Sequence, residues 1–221
     1  MRNANLRTSL WMLLVLSAII WFLFAYFAGL DLSKISDFFG LIPEVITLDL
    51  IAITIFVKWL WRWKRFRGWL VPFPDLNGTW LGEIRSEWID QEKCKKIPLI
   101  PAMLTVRQTF FYTSCVMQTK EMRSDSYGEE FKIDEERQIK QFIYSYISRP
   151  KISLQERSNI HYGTVLFEAI ESPKMKLKGR YWTDRKTIGE MEFMFHSKKI
   201  FEELPEDLAC LTTKDKDFKK S

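Results

Sequence analysis

From Leu10 to Leu30 no side chain carries a charge, and a second apolar stretch runs from about Phe38 to Leu60. The first, roughly 21 residues long, would as a helix rising ~1.5 Å per residue match a hydrocarbon layer ~30 Å thick. A single segment in that layer must pair its own backbone groups, so a helix is the form expected. Arg2 and Arg7 could head a signal peptide, but the apolar run is too long and no small-x-small cleavage site follows. A retained anchor is predicted. The second span should begin near Pro43, tolerated in a first helical turn, with Glu44 at the interface. Asp49 falls about a turn and a half deeper, where a carboxylate costs on the order of 2.5–3.5 kcal/mol. Two readings stay open: the helix is displaced so that Asp49 sits near headgroups, or Asp49 faces other helices when protomers assemble.

Beyond Pro72 and Pro74 the period changes from long apolar runs to alternation. Trp80, Ile84, Ser86 and Trp88 oppose Thr79, Glu83, Arg85 and Glu87, the pattern of a half-buried strand. Leu104 to Thr119 predicts a strand pair or one long bent strand. Gln141 to Ser148 and Gly163 to Ala169 read as strands, and Lys176 to Thr183 with Gly189 to Phe195 as a hairpin around Thr183-Asp184-Arg185-Lys186. Arg123-Ser124-Asp125-Ser126 reads as a loop. A membrane α-helical hairpin followed by a small, about eight-stranded antiparallel barrel is the fold predicted. The boundaries expected are 1–62 for the helices, 63–75 for a linker, 76–204 for the barrel and 205–221 for a disordered tail.

Charge orients this arrangement. Lys58, Arg62, Lys64, Arg65 and Arg67 follow the second span, Arg2 and Arg7 precede the first, and the loop between offers only Lys34 against Asp31 and Asp37. Both termini are expected in the cytoplasm. Trp59, Trp61, Trp63 and Trp69 interleave with the cations as an interfacial belt, so the net charge of +5 is weak evidence for a DNA or RNA partner. Cys94, Cys115 and Cys210 form no C-x-x-C pair, and His161 and His196 lack metal-ligand spacing. No phosphate-binding loop, nucleophile elbow or zinc-protease helix is present, so neither an enzyme nor a resident metal or cofactor is expected.

The remaining chemistry lies in the barrel. The odd face of the late hairpin carries Leu177, Gly179, Tyr181, Thr183 and Arg185; Tyr144 and Tyr146 add rings, and Arg123, Ser124 and Ser126 a cation and two hydroxyls. Gly179 leaves room for something to approach the backbone, or marks a bend. Rings, hydroxyls and guanidinium suit a nucleotide. They are equally what a packed core and a solvated rim contain, and a hydrophobic ligand or none is compatible with them.

The order of these marks resembles a family. The double span and basic aromatic linker precede Leu76-Asn77-Gly78-Thr79-Trp80-Leu81-Gly82; then come Ser124-x-Ser126, Tyr144-x-Tyr146-x-x-x-Pro150, His161-x-Gly163 and Leu177-x-Gly179-x-Tyr181-x-Thr183-x-Arg185. The chain is similar to the transmembrane β-barrel effectors of CBASS anti-phage systems. That resemblance implies a receptor for a cyclic dinucleotide as activating ligand, in the bacterial inner membrane, whose helices form a homo-oligomer and breach the bilayer. It implies Arg123 and Arg185 for phosphate, Ser124, Ser126 and Thr183 as hydroxyl donors, Tyr144, Tyr146 and Tyr181 for stacking, and His161 beside them. Glu44 and Asp49 become candidates for lining a membrane defect, and Trp80 for the closed end of the barrel. One departure is the acidic run Glu129, Glu130, Asp134, Glu135 and Glu136, which would repel phosphate at a pocket mouth. A membrane-anchored lipocalin-like carrier, or an accessory subunit binding only protein, is the alternative.

Overall fold

A computed structural model describes residues 6–29, 39–68, 70–90, 95–134, 136–137, 139–154 and 158–205. The loop carrying Asp31, Lys34 and Asp37, and the tail beyond 205, lie outside them. The chain divides into two compact units, 1–73 and 74–221.

In the first unit α1 spans Leu6–Ala28 and α2 spans Ile42–Lys58, with Pro43 in the first turn of α2, where it forfeits no helical hydrogen bond. Ala25, Leu41 and Val45 pack with Ile20, Trp21 and Phe24 between the two helices. Asp49 faces α1, and the Ser17 hydroxyl donates to its Oδ2 at 2.6 Å. Its other oxygen is buried without a hydrogen-bond partner among the described residues. Glu44 is exposed. α2 is 17 residues long, and the described side chains of α1 begin at Trp11. Among the described residues no helix is long and apolar enough to cross a membrane. Two short 3-10 turns, Leu60–Arg62 and Lys64–Phe66, follow α2. There the guanidinium of Arg62 lies 5.2 Å from the Trp61 ring centroid, and Lys58 5.8 Å from that of Trp59.

The second unit is a closed antiparallel barrel of eight strands. They are β1 (Gly78–Ser86), β4 (Ile100–Gln108), β5 (Thr113–Thr119), β6 (Met122–Asp134), β7 (Ile139–Pro150), β8 (His161–Ile170), β9 (Lys176–Thr183) and β10 (Ile188–Ser197). Two-residue β2 (Ile89–Asp90) and β3 (Lys95–Lys96) pair outside it. Each barrel strand pairs with its neighbour in sequence and β1 pairs with β10, so no long edge is left to recruit another chain. Leu104 to Thr119 is thus a strand pair, turned at Thr109 and Tyr112.

Ser124 and Ser126, expected on a loop, lie on β6 instead. Their segment escapes the alternation rule because its inward residues are serines rather than hydrocarbons. Between Ser126 and Gly128 a bulge shifts the register, so that Glu129 and Phe131 pair with Tyr144 and Phe142 and share their inner face.

One end of the interior is sealed. Trp80 is fully buried and its indole N–H donates to the Leu76 carbonyl at 2.9 Å. Gln108 accepts from Leu76 N at 2.7 Å and donates to Pro74 O at 3.1 Å, drawing the entering chain across the base. Midway, Phe142, Tyr144, Phe167 and Phe193 form a continuous aromatic core. Interior glycines make room for it. Each of Gly82, Gly163, Gly179 and Gly189 lies directly across from a ring on the adjacent strand, Phe193, Tyr146, Phe167 and Tyr181 respectively, leaving no space for a Cβ. What approaches the backbone at Gly179 is the protein's own Phe167 ring.

Candidate functional site

The polar half of the interior gathers at the other end, because β6 to β9 all bring hydroxyl, imidazole or phenol groups there on their inward parity. Thr183, Gly163, Tyr146 and Ser126 form one cross-strand row, and His161, Ser148 and Ser124 the next. The Ser124 hydroxyl donates to Ser148 at 2.9 Å, while Tyr146 and His161 meet edge to face at 6.4 Å. Tyr181 stands opposite Gly189 and hydrogen-bonds the Ser86 hydroxyl. At the rim, Thr183 bonds Thr187 across the tight turn, oxygen to oxygen at 2.6 Å, and Lys186 adopts a φ of 59°. Arg185 sits in that turn, exposed, its guanidinium donating to Ser158 Oγ at 3.0 Å.

Arg185 is nevertheless felt inside. Burial chiefly, then the Arg185 cation, holds the His161 imidazole below its ordinary value. Burial raises the Tyr146 and Tyr181 phenols, and Arg185 partly opposes both shifts. The mouth therefore combines neutral rings and hydroxyls with a rim turn in which Asp184 stands beside Arg185 and Lys186.

Of the residues singled out from the sequence, the barrel brings Tyr146, Tyr181, Thr183, His161 and Ser124 together, with Arg185 on the rim. Tyr144 lies one layer deeper, its ring 6.0 Å from that of Tyr146. Arg123 is not part of this group: its parity puts it on the outer face, where it pairs with Asp125 at 3.0 Å. Asp125 also pairs with Arg149, so this cation answers a local carboxylate. Ser126 donates to Glu129 and accepts from Cys115 N at 2.8 Å. Sequence reasoning missed Ser86 and Ser148, although the parity of Trp80 and Ile84, and of Tyr144 and Tyr146, points both inward.

A closed barrel with one plugged end and one polar, ring-lined end is an architecture that can hold side chains alone or one small ligand. Residues 71–194, more than half of the chain, match the family described as Cap15, cyclic dinucleotide receptor domain, and the chain belongs to that family. No curated protein matches it.

Proposed function

We propose that this chain is a CBASS effector whose barrel captures a cyclic dinucleotide at its polar end and whose helical pair, embedded in the bacterial inner membrane with both termini cytoplasmic, then assembles and breaches it. The observation that carries the reading is the meeting of a receptor-family barrel with Tyr146, Tyr181, His161, Thr183 and Arg185 at one mouth. Phosphates would take the hydroxyls and the guanidinium, and the bases the ring faces. The carrier reading is less well supported, since the chain's own rings occupy the apolar middle of the barrel.

The membrane part is supported by the outer surface of the helices. Trp11, Leu14, Ile19, Phe22 and Phe27 are exposed on α1, as are Ile46, Leu50, Ile51 and Ile55 on α2. So much exposed hydrocarbon on a pair of helices calls for lipid or further helices around it. The Trp and cation-rich turns after α2 suit the headgroup layer.

Melting of the full chain in detergent, with and without a panel of cyclic dinucleotides, tests the receptor. A ligand at 100 times its dissociation constant adds about 2.7 kcal/mol of stability. Arg185→Ala is expected to weaken binding at least tenfold, because hydrogen bonds to charged groups contribute about 1.5–3 kcal/mol. Arg123→Ala is expected to leave it unchanged. No shift with any ligand would overturn the proposal.

A further inference from the structure

The wall of the barrel is thinnest between β5 and β6. Only Val116, Met117 and Gln118 pair with Asp125, Ser124 and Arg123, although β6 runs on to Asp134 beside β7. Where the ladder stops, a side chain replaces it: Cys115 N–H donates to the Ser126 hydroxyl. That hydroxyl in turn donates to Glu129, which the bulge has turned to the inner face beside Tyr144. A seam with so few backbone bonds opens at lower cost than the others.

Behind it lies an unspent polar group. Tyr144 is 1% exposed, and its hydroxyl has no hydrogen-bond partner among the described residues. Burial first, and then the neighbouring Cys115 thiol on β5, hold this phenol above its ordinary value, which puts it on the β5 side. A buried phenol without a partner is costly, and a native fold rarely leaves one idle. Ser126 has its proton committed to Glu129 and one lone pair to the Cys115 amide. The free capacity is a Glu129 carboxylate oxygen, an acceptor only, and the Tyr144 hydroxyl, which donates or accepts. Glu129 is half-buried and so within reach of solvent.

Glu129 and Tyr144 are cross-strand partners on the inner face, and an acceptor paired with a donor in this way is the complement of a nucleobase edge, which presents an N–H next to a ring nitrogen or carbonyl. We propose that Glu129 and Tyr144 form the base-reading end of the ligand site, taking the N–H and the adjacent acceptor of one nucleobase at the β5–β6 seam. Ser126 joins this end to the mouth, since it shares a cross-strand row with Tyr146, Gly163 and Thr183. The carboxylate that would repel phosphate at the mouth serves here to select a base. This inference rests on the receptor reading above.

The test uses the full chain in detergent and cyclic di-AMP, di-GMP, di-UMP and mixed cyclic dinucleotides, with affinity measured by calorimetry and folding by thermal melting. Glu129→Gln is expected to weaken the preferred ligand at least tenfold and to change the ranking of the panel, because an amide offers the base a donor where a carboxylate offers none. Tyr144→Phe is expected to weaken binding severalfold while the unliganded melting temperature holds or rises. Glu130→Gln, on the outer face, should change nothing. Wild-type binding with the same affinities and ranking in Glu129→Gln and Tyr144→Phe would overturn the base-reading assignment alone. No binding by wild type to any member would overturn the receptor reading beneath it.

Discussion

His161 is where the chemistry of the mouth becomes measurable. Its imidazole is held below about 6.5 by burial and by Arg185, with Asp184 and the Asn159 carbonyl opposing. A base whose folded-state value is depressed stays neutral in the folded protein while the unfolded chain takes up a proton. The associated stability is therefore complete above about pH 6.5 and is lost as pH falls below it. The urea midpoint of the unliganded protein should drop as pH falls below about 6.5, and His161→Gln should remove that part of the slope. A phosphate beside Arg185 would cancel the part of that depression that the guanidinium adds to burial. Binding should then take up a proton and tighten as the solution is acidified. Arg123 gives the contrast, since parity rather than charge kept it from this group.

The strands show how such a mouth is built from a packed interior. A barrel of eight strands has little more room than its own side chains need. The adjacent rings Tyr146, Phe167, Tyr181 and Phe193 fit only because a glycine faces each across the ladder. At Gly179 a Cβ would overlap the Leu166 carbonyl oxygen and lie 2.7 Å from the Phe167 ring. Because the first obstacle is backbone, it cannot swing aside. Gly179→Ala should destabilise the barrel by about 1–3 kcal/mol, read from the denaturant midpoint. The bulge in β6 matters as much, for one extra residue turns Glu129 inward and the acidic run ceases to be a uniform surface feature.

In the whole molecule, the proposed function requires capture at the mouth to be coupled to the helices. A ligand shifts an equilibrium only by its differential affinity for the two states, so under that proposal the assembled form would bind it better. Asp49 is a suitable contact for that form, because Ser17 engages one oxygen and the other is left buried without a partner. Within the chain Asp49 meets α1, a contact that neither of the two readings of this residue named. Asp49→Leu should leave ligand-induced stabilisation intact and reduce ligand-triggered dye release from liposomes by at least tenfold. Equal dye release would restrict Asp49 to packing within the helical pair.

How far the residues alone carried this picture follows from which patterns are local. Apolar runs, alternation and Gly/Pro punctuation are visible within a few positions, and they sufficed for two helices, most of the strands and a barrel of about eight. They also sufficed for the inward parity of Tyr144, Tyr146, Tyr181 and Thr183. β6 escaped because its inward positions are Ser124 and Ser126, and a polar residue facing a polar mouth looks the same as one facing water. The bulge after Ser126, the Phe167 ring that fills the space at Gly179, the pairing of Arg123 with Asp125 and the unpartnered Tyr144 hydroxyl depend on neighbours far away along the chain. Hydrophobic period is a property of a segment, whereas a binding group's partners are set by the closing of the sheet, and only the folded barrel decides them.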